Sequence, residues 1–163
     1  MKLKGKVAVV TGGARDLGRA ISVQFAQQGA KVAVNYFDNP DDAQETLNMI
    51  KEAGSDGIIV QGDMTKAADV KKLMDETVSA FGNRIDILVN VVGGIVGRKL
   101  VTEQDEAWYD FLMDVNRRSV FLRTRAVVPY MGEGSAIVDF SSHAARGCGG
   151  QGASLYAPDN VAV

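Results

Sequence analysis

The feature that most constrains this chain is an alternation of two patterns. Short runs rich in β-branched residues occupy 6–10, 31–35, 57–61, 85–90 and 136–140. Between them lie longer stretches with helical spacing. Leu17, Ile21, Phe25 and Ala26 share one face, and Ala43, Leu47, Ile50 and Ala53 a second. Val70, Leu73, Met74, Thr77, Val78 and Phe81 form a third. A fourth segment, about 103–131, carries Trp108, Leu112, Val115, Phe121, Leu122 and Val128. The short runs are nearly continuous in apolar residues, the mark of strands buried on both faces of a parallel sheet. Gly29, Gly54 and Gly82 stand where the first three helices should end. Asn39-Pro40 suits a helix start, and Thr65 and Thr102 are the caps expected for the third and fourth helices. Right-handed crossovers then give a doubly wound α/β sheet, a Rossmann-type three-layer α/β/α domain. At 163 residues the chain is expected to be one domain, 1–163.

Composition narrows the chemistry. The net charge of −2 argues against a nucleic-acid surface, which shows a basic surplus. One cysteine, Cys148, and one histidine, His143, leave no material for a disulfide or a Cys/His metal site, so no metal is expected. The apolar run after the basic start is too short for a signal sequence, and nothing approaches a membrane span, so a cytoplasmic setting and no membrane partner are expected. Glycine is in excess, 18 of 163, against an average of about 7%. Residues 141–163 hold Gly147, Gly149, Gly150, Gly152 and Pro158, which is loop chemistry. No later strand is offered to pair with the fifth, so a bare sheet edge and self-association into a homo-oligomer are expected.

The first strand runs directly into Thr11-Gly12-Gly13-Ala14-Arg15-Asp16-Leu17-Gly18 and then a helix. A glycine-rich turn there places backbone N–H groups and a helix N-terminus where a phosphate can sit. Gly12 would permit the tight turn, and Gly18 would let the helix pack closely. A Walker loop is excluded because no Gly-Lys-Ser/Thr follows. Phe140-Ser141-Ser142-His143-Ala144 is not a nucleophile elbow, so a His-assisted hydrolase is set aside.

Thr11-Gly12-x-x-x-x-x-Gly18, Asp63, Asn90-Val91-Val92-Gly93, Val115-Asn116, Ser142 and Tyr156, in this order, resemble the short-chain dehydrogenase/reductase family. Within it they are similar to the 3-oxoacyl-carrier-protein reductase and glucose dehydrogenase type. The resemblance implies hydride transfer between a nicotinamide dinucleotide and a ketone or secondary alcohol, with a small carbonyl or alcohol as substrate. It places Gly12, Arg15, Leu17 and Gly18 around the pyrophosphate and adenosine ribose. It sets Asp63 and Met64 beside the adenine, and Asn90, Val92 and Gly93 along the ribose and nicotinamide floor. Tyr156 would be the general acid, Ser142 would hydrogen-bond the carbonyl oxygen, and Asn116 would hold a relay water. An NAD site needs a carboxylate near the end of the second strand. That position is Tyr36, and Arg15 could pair with a 2′-phosphate, so NADP is expected, with NAD possible because Asp38 stands close by.

The chain departs from the family pattern at three places. The middle glycine of the phosphate loop is Asp16, which adds bulk and a like charge unless it turns outward or pairs with Arg15 or Arg19. The lysine of the Tyr-x-x-x-Lys motif is Asn160, which carries no charge to ease tyrosine ionisation or anchor the ribose. The chain also carries only the first part of the family domain, so the sheet is expected to be incomplete at its C-terminal end. Turnover is therefore expected to be slow, and a non-catalytic dinucleotide binder is the alternative. A flavodoxin-type phosphate or flavin domain suits the fold but leaves Ser142 and Tyr156 unexplained.

Overall fold

The computed structural model describes residues 1–147 and 150–156. Five strands, β1 (Val7–Thr11), β2 (Lys31–Tyr36), β3 (Gly57–Gln61), β4 (Ile87–Asn90) and β5 (Ala136–Asp139), form one parallel sheet in the order β3-β2-β1-β4-β5. Helices α1 (Asp16–Gln27), α2 (Pro40–Glu52) and α3 (Ala67–Phe81) connect the first four strands. Between β4 and β5 run α4 (Glu106–Met113), a π-helical turn (Asp114–Arg118), α5 (Ser119–Val127) and a 3-10 turn (Val128–Tyr130). A short α6 (Ala144–Gly147) follows β5.

Strand periodicity of two builds the layers. Val9 and Leu88 point to one face and pack with Val70, Leu73 and Met74 of α3 and Val127 of α5. Val10, Val32, Val34 and Val89 point to the other and pack with Ala26 of α1 and with Ala43 and Ile50 of α2. The doubly wound reading therefore holds. Strand order reverses between β1 and β4, with Thr11 opposite Asn90, and such a reversal opens a crevice at the strands' carboxyl ends. Among the described residues β5 pairs only with β4, and Ala136, Val138 and Asp139 are exposed.

Several boundaries shift. The first strand runs one residue later than expected, the fourth pairs only from Ile87, and the fifth ends at Asp139. Asn39 caps α2 as expected, accepting from the Asp41 and Asp42 N–H groups. Thr65 does not cap α3: its N–H and hydroxyl both turn back to Asp63 Oδ1, at 2.9 and 2.7 Å, and Lys66 is the N-cap residue. Thr102 lies in a 3-10 turn instead, and α4 is capped by Asp105, which accepts from Trp108 N–H at 2.8 Å. The long fourth helix is likewise divided by the π-helical turn, where Ser119 N–H reaches back five residues to Asp114.

At the end of the sheet opposite the crevice, Asp86 is nearly buried. It accepts from Lys6 Nζ at 2.9 Å, Arg84 Nε at 2.8 Å and Val7 N–H at 3.0 Å, fastening β1 to the start of β4.

Candidate functional site

A cleft of about 820 Å³ opens over the carboxyl ends of the strands. Its floor is the β1–α1 loop with Gly12, Arg15, Asp16, Leu17 and Gly18. One wall carries Tyr36, Asp38, Asp63 and Met64, and the other carries Val92 and Gly93. A second cavity of about 200 Å³ adjoins it, lined by Asn90, Asn116, Ser141 and Tyr156. The two share Leu17 and residues 91–94.

The loop's shape follows from its glycines. Gly12 has φ +60°, the left-handed region glycine favours, and an added Cβ would stand 3.2 Å from the Val92 side chain. A Cβ on Gly18 would overlap the Gly12 carbonyl, so this helix residue must be glycine for α1 to approach the loop. Asp16 also sits at positive φ, +48°, a conformation that costs a non-glycine residue roughly 1–2 kcal/mol. Its side chain turns outward, 88% exposed, and stands 3.8 Å from Arg15 Nε. Arg19 is unavailable to Asp16: it pairs with Asp42 at 3.2 Å and Glu45 at 2.7 Å, and its Nε donates to Ala14 O and Thr46 Oγ1. Arg15, the N-cap residue of α1, makes no side-chain capping bond, which leaves the first-turn N–H groups without a side-chain acceptor.

Asn116 is buried and fully engaged. Its Oδ1 accepts from Gly94 N–H at 2.8 Å, and its Nδ2 donates to Gly94 O at 3.1 Å and Leu112 O at 3.2 Å. The side chain therefore fixes residues 93–94. Asp63 has one oxygen committed to Thr65 and its N–H committed to Asp69. Asn90 donates to Asp139 Oδ1 at 2.6 Å, while its buried Oδ1 has no partner among the described residues. Ser142 Oγ accepts from Ala144 N–H at 3.1 Å at the start of α6, and it is Ser141 rather than Ser142 that lines the small cavity. Asn160 lies outside the described residues.

Asn35 and Arg123 were not among the expected site residues, and Thr11 was expected only as the start of the glycine loop. Asn35 Oδ1 accepts from Gly12 N–H at 3.3 Å, and its Nδ2 donates to Gly62 O at 3.0 Å, joining the glycine loop to the end of β3. An amide inside an otherwise apolar strand run was the available signal. Thr11 Oγ1 accepts from the Val91 N–H at 3.2 Å. Arg123 of α5 is wholly buried and reaches both Thr11 and Val92. Among the described residues there is no group of three or more metal-ligating side chains and no helix long and apolar enough to cross a membrane.

A parallel sheet with a glycine loop at its strand-order reversal defines a Rossmann-type α/β protein. Residues 6–158 match the short chain dehydrogenase family, an oxidoreductase family, and the chain belongs to it. It is 37% identical over 163 residues to a hydroxynaphthalene reductase-like protein of Metarhizium majus, covering 99% of this chain and 60% of that protein. It is 39% identical over 141 residues to an uncharacterized oxidoreductase of Methylorubrum extorquens, covering 86% of this chain and 56% of that one. Among solved structures, an NADH-dependent reductase complexed with NAD superposes with a TM-score of 0.92 at 37% identity, over 98% of this chain and 68% of that one. A short-chain dehydrogenase/reductase from Serratia marcescens gives 0.94 at 33% identity, over 99% and 65%. The chain thus spans about 60% of the length of the curated relatives it matches.

Proposed function

We propose that this chain is the dinucleotide-binding part of an oxidoreductase that interconverts a small ketone and a secondary alcohol with NADP(H), in the cytoplasm. The observation that carries the reading is the pair of adjoining cavities: one floored by a glycine cradle, the other lined by Tyr156 and Asn116, with residues 91–94 between them. The cradle fits a dinucleotide. Gly12 and Gly18 let the loop and α1 close up tightly, as no residue with a Cβ could at Gly18, and the first turn of α1 offers uncapped N–H donors for a diphosphate. Asp63 keeps one carboxylate oxygen, Oδ2, for an adenine amino group, and Asn90 lines the adjoining cavity with its amide tied to Asp139.

The bound cofactor would supply or accept the hydride. Tyr156 would protonate the carbonyl oxygen, and the serine pair 141–142 would hydrogen-bond it. Asn116 serves by holding residues 93–94 in place; its side chain is spent on Gly94 and Leu112, so a relay water there would fall to the main chain.

NADP is favoured by Tyr36 at the end of β2 and by Arg15, whose guanidinium is 70% exposed and only loosely held by Asp16. NAD is the second reading, favoured by Asp38 in the same wall and by the similar NADH-dependent reductase.

Asn160 in the lysine position, with Asp16 in the loop, makes turnover slow, which keeps a non-catalytic binder as the alternative function. The test is NADPH oxidation with a panel of ketones, for the unaltered chain and for Asp16→Gly with Asn160→Lys. The expected result is a rate near background that the double change raises about 100-fold. An ordinary enzyme rate from the unaltered chain overturns the account of Asn160, and a folded, NADPH-binding double variant without any gain favours the non-catalytic binder.

A further inference from the structure

Arg123 is the largest fully buried side chain in the described structure. It belongs to α5, beneath the crevice. Its Nη1 donates to Thr11 Oγ1 at 3.4 Å and its Nη2 to the Val92 carbonyl at 3.3 Å. Thr11 ends β1 and leads into the glycine cradle; Val92 belongs to the loop after β4. The planar fork therefore spans the two walls that meet where the strand order reverses. Burial pulls its pKa down to about 10, opposed by the charge of Asp139, so it remains a cation at neutral pH.

Such a group is expensive to keep. Its Nε has no partner among the described residues, and an apolar side chain of similar volume would fill the space without the desolvation cost. Packing alone does not account for it. A buried cation projects its field further than an exposed one, because little water screens it, and an anionic ligand in the crevice would feel it.

We propose that Arg123 is a positioning residue of the dinucleotide site, tying the end of β1 to the loop after β4 and holding a fixed positive charge behind the cradle that receives the ligand's phosphates. This rests on the dinucleotide reading given above. It separates Arg123 from Arg15: Arg15 bears on the choice between NADPH and NADH, whereas Arg123 acts on the phosphates common to both.

The experiment compares the unaltered chain with Arg123→Met and Arg123→Lys, by titration with NADPH, NADH and uncharged adenosine, with circular dichroism to confirm folding. Arg123→Met is expected to weaken both dinucleotides by about tenfold and to the same extent, while adenosine binding stays within about twofold. Arg123→Lys, which restores the charge without the fork, is expected to recover part of the loss. A folded Arg123→Met chain that binds both dinucleotides normally overturns the proposal. So does equal loss of adenosine and dinucleotide, which marks a merely structural role, and so does an Arg123→Lys chain no better than Arg123→Met. If Arg123→Met does not fold, the unaltered chain decides: the Arg123 Nε–H resonance should shift on adding NADH or inorganic pyrophosphate and not on adding adenosine. A resonance that stays put overturns the proposal. Failure of the unaltered chain to bind either dinucleotide overturns the functional reading and this proposal with it.

Discussion

The side-chain amide of Asn116 grips the main chain of Gly94 from both sides, accepting from its N–H at 2.8 Å and donating to its carbonyl at 3.1 Å. A residue in the π-helical turn between α4 and α5 thereby sets the wall common to both cavities. π-Helical turns recur at functional sites because they turn a side chain out of the regular helical register. Here the side chain that is turned fixes a loop.

Replacing Asn116 by Ala should therefore leave both polar groups of Gly94 without this partner. The expected cost is roughly 1–3 kcal/mol of stability, read by urea unfolding, together with weaker dinucleotide binding. Asn116→Asp should be worse than its small volume change suggests. It keeps the acceptor for Gly94 N–H but turns a carboxylate oxygen toward the Gly94 and Leu112 carbonyls.

The loop gives two opposite expectations. Gly18→Ala forces a Cβ into the Gly12 carbonyl and should abolish dinucleotide binding. Asp16→Gly removes a side chain held at φ +48° and a negative charge beside the cradle proposed for the phosphates, so it should tighten binding several-fold while changing stability by no more than about 1 kcal/mol. Titration of the two variants side by side checks both.

How much of this was legible beforehand follows from particular residues. The sheet was, because β-branched runs and Gly29, Gly54 and Gly82 punctuate it plainly. The divided fourth helix was not: the π-helical turn changes backbone pairing without altering the apolar pattern around Leu112 and Val115. The caps at Thr65 and Thr102 failed because Asp63 claims the first and Asp105 outcompetes the second. The cradle glycines and Tyr36, Asp63 and Met64 do line one cleft. Arg123 was not legible, because an arginine close to Arg117, Arg118 and Arg125 carries no sign of burial in its residue type, although burial at Asn116, Ser119, Arg123 and Val127 follows helical spacing.

Acid should destabilise the fold through Asp86. Burial would raise the pKa of this carboxyl, but hydrogen bonds from Arg84, Val7 N–H and Lys6 outweigh it and hold it below the usual 3.8. A carboxyl depressed in the folded state adds stability above its unfolded pKa and loses it as pH falls through the folded value. Melting temperature should fall below about pH 4, and in Asp86→Asn this drop should be smaller while stability at neutral pH is already reduced.

The 163-residue chain should self-associate. β5 offers one unpaired edge among the described residues, with Val138 and Phe140 exposed beside it. Light scattering should report a dimer or larger species; a stable monomer at high concentration contradicts this.

A dinucleotide is expected to lie in the cleft with its adenosine end beside Arg15 and Tyr36. The most direct test is fluorescence titration of the unaltered chain and Arg15→Ala with NADPH and NADH. NADPH should bind the unaltered chain more tightly, by about tenfold, and Arg15→Ala should narrow that gap. Equal affinities, or a preference for NADH, would contradict the assignment of Arg15, and no binding of either cofactor would contradict the site itself.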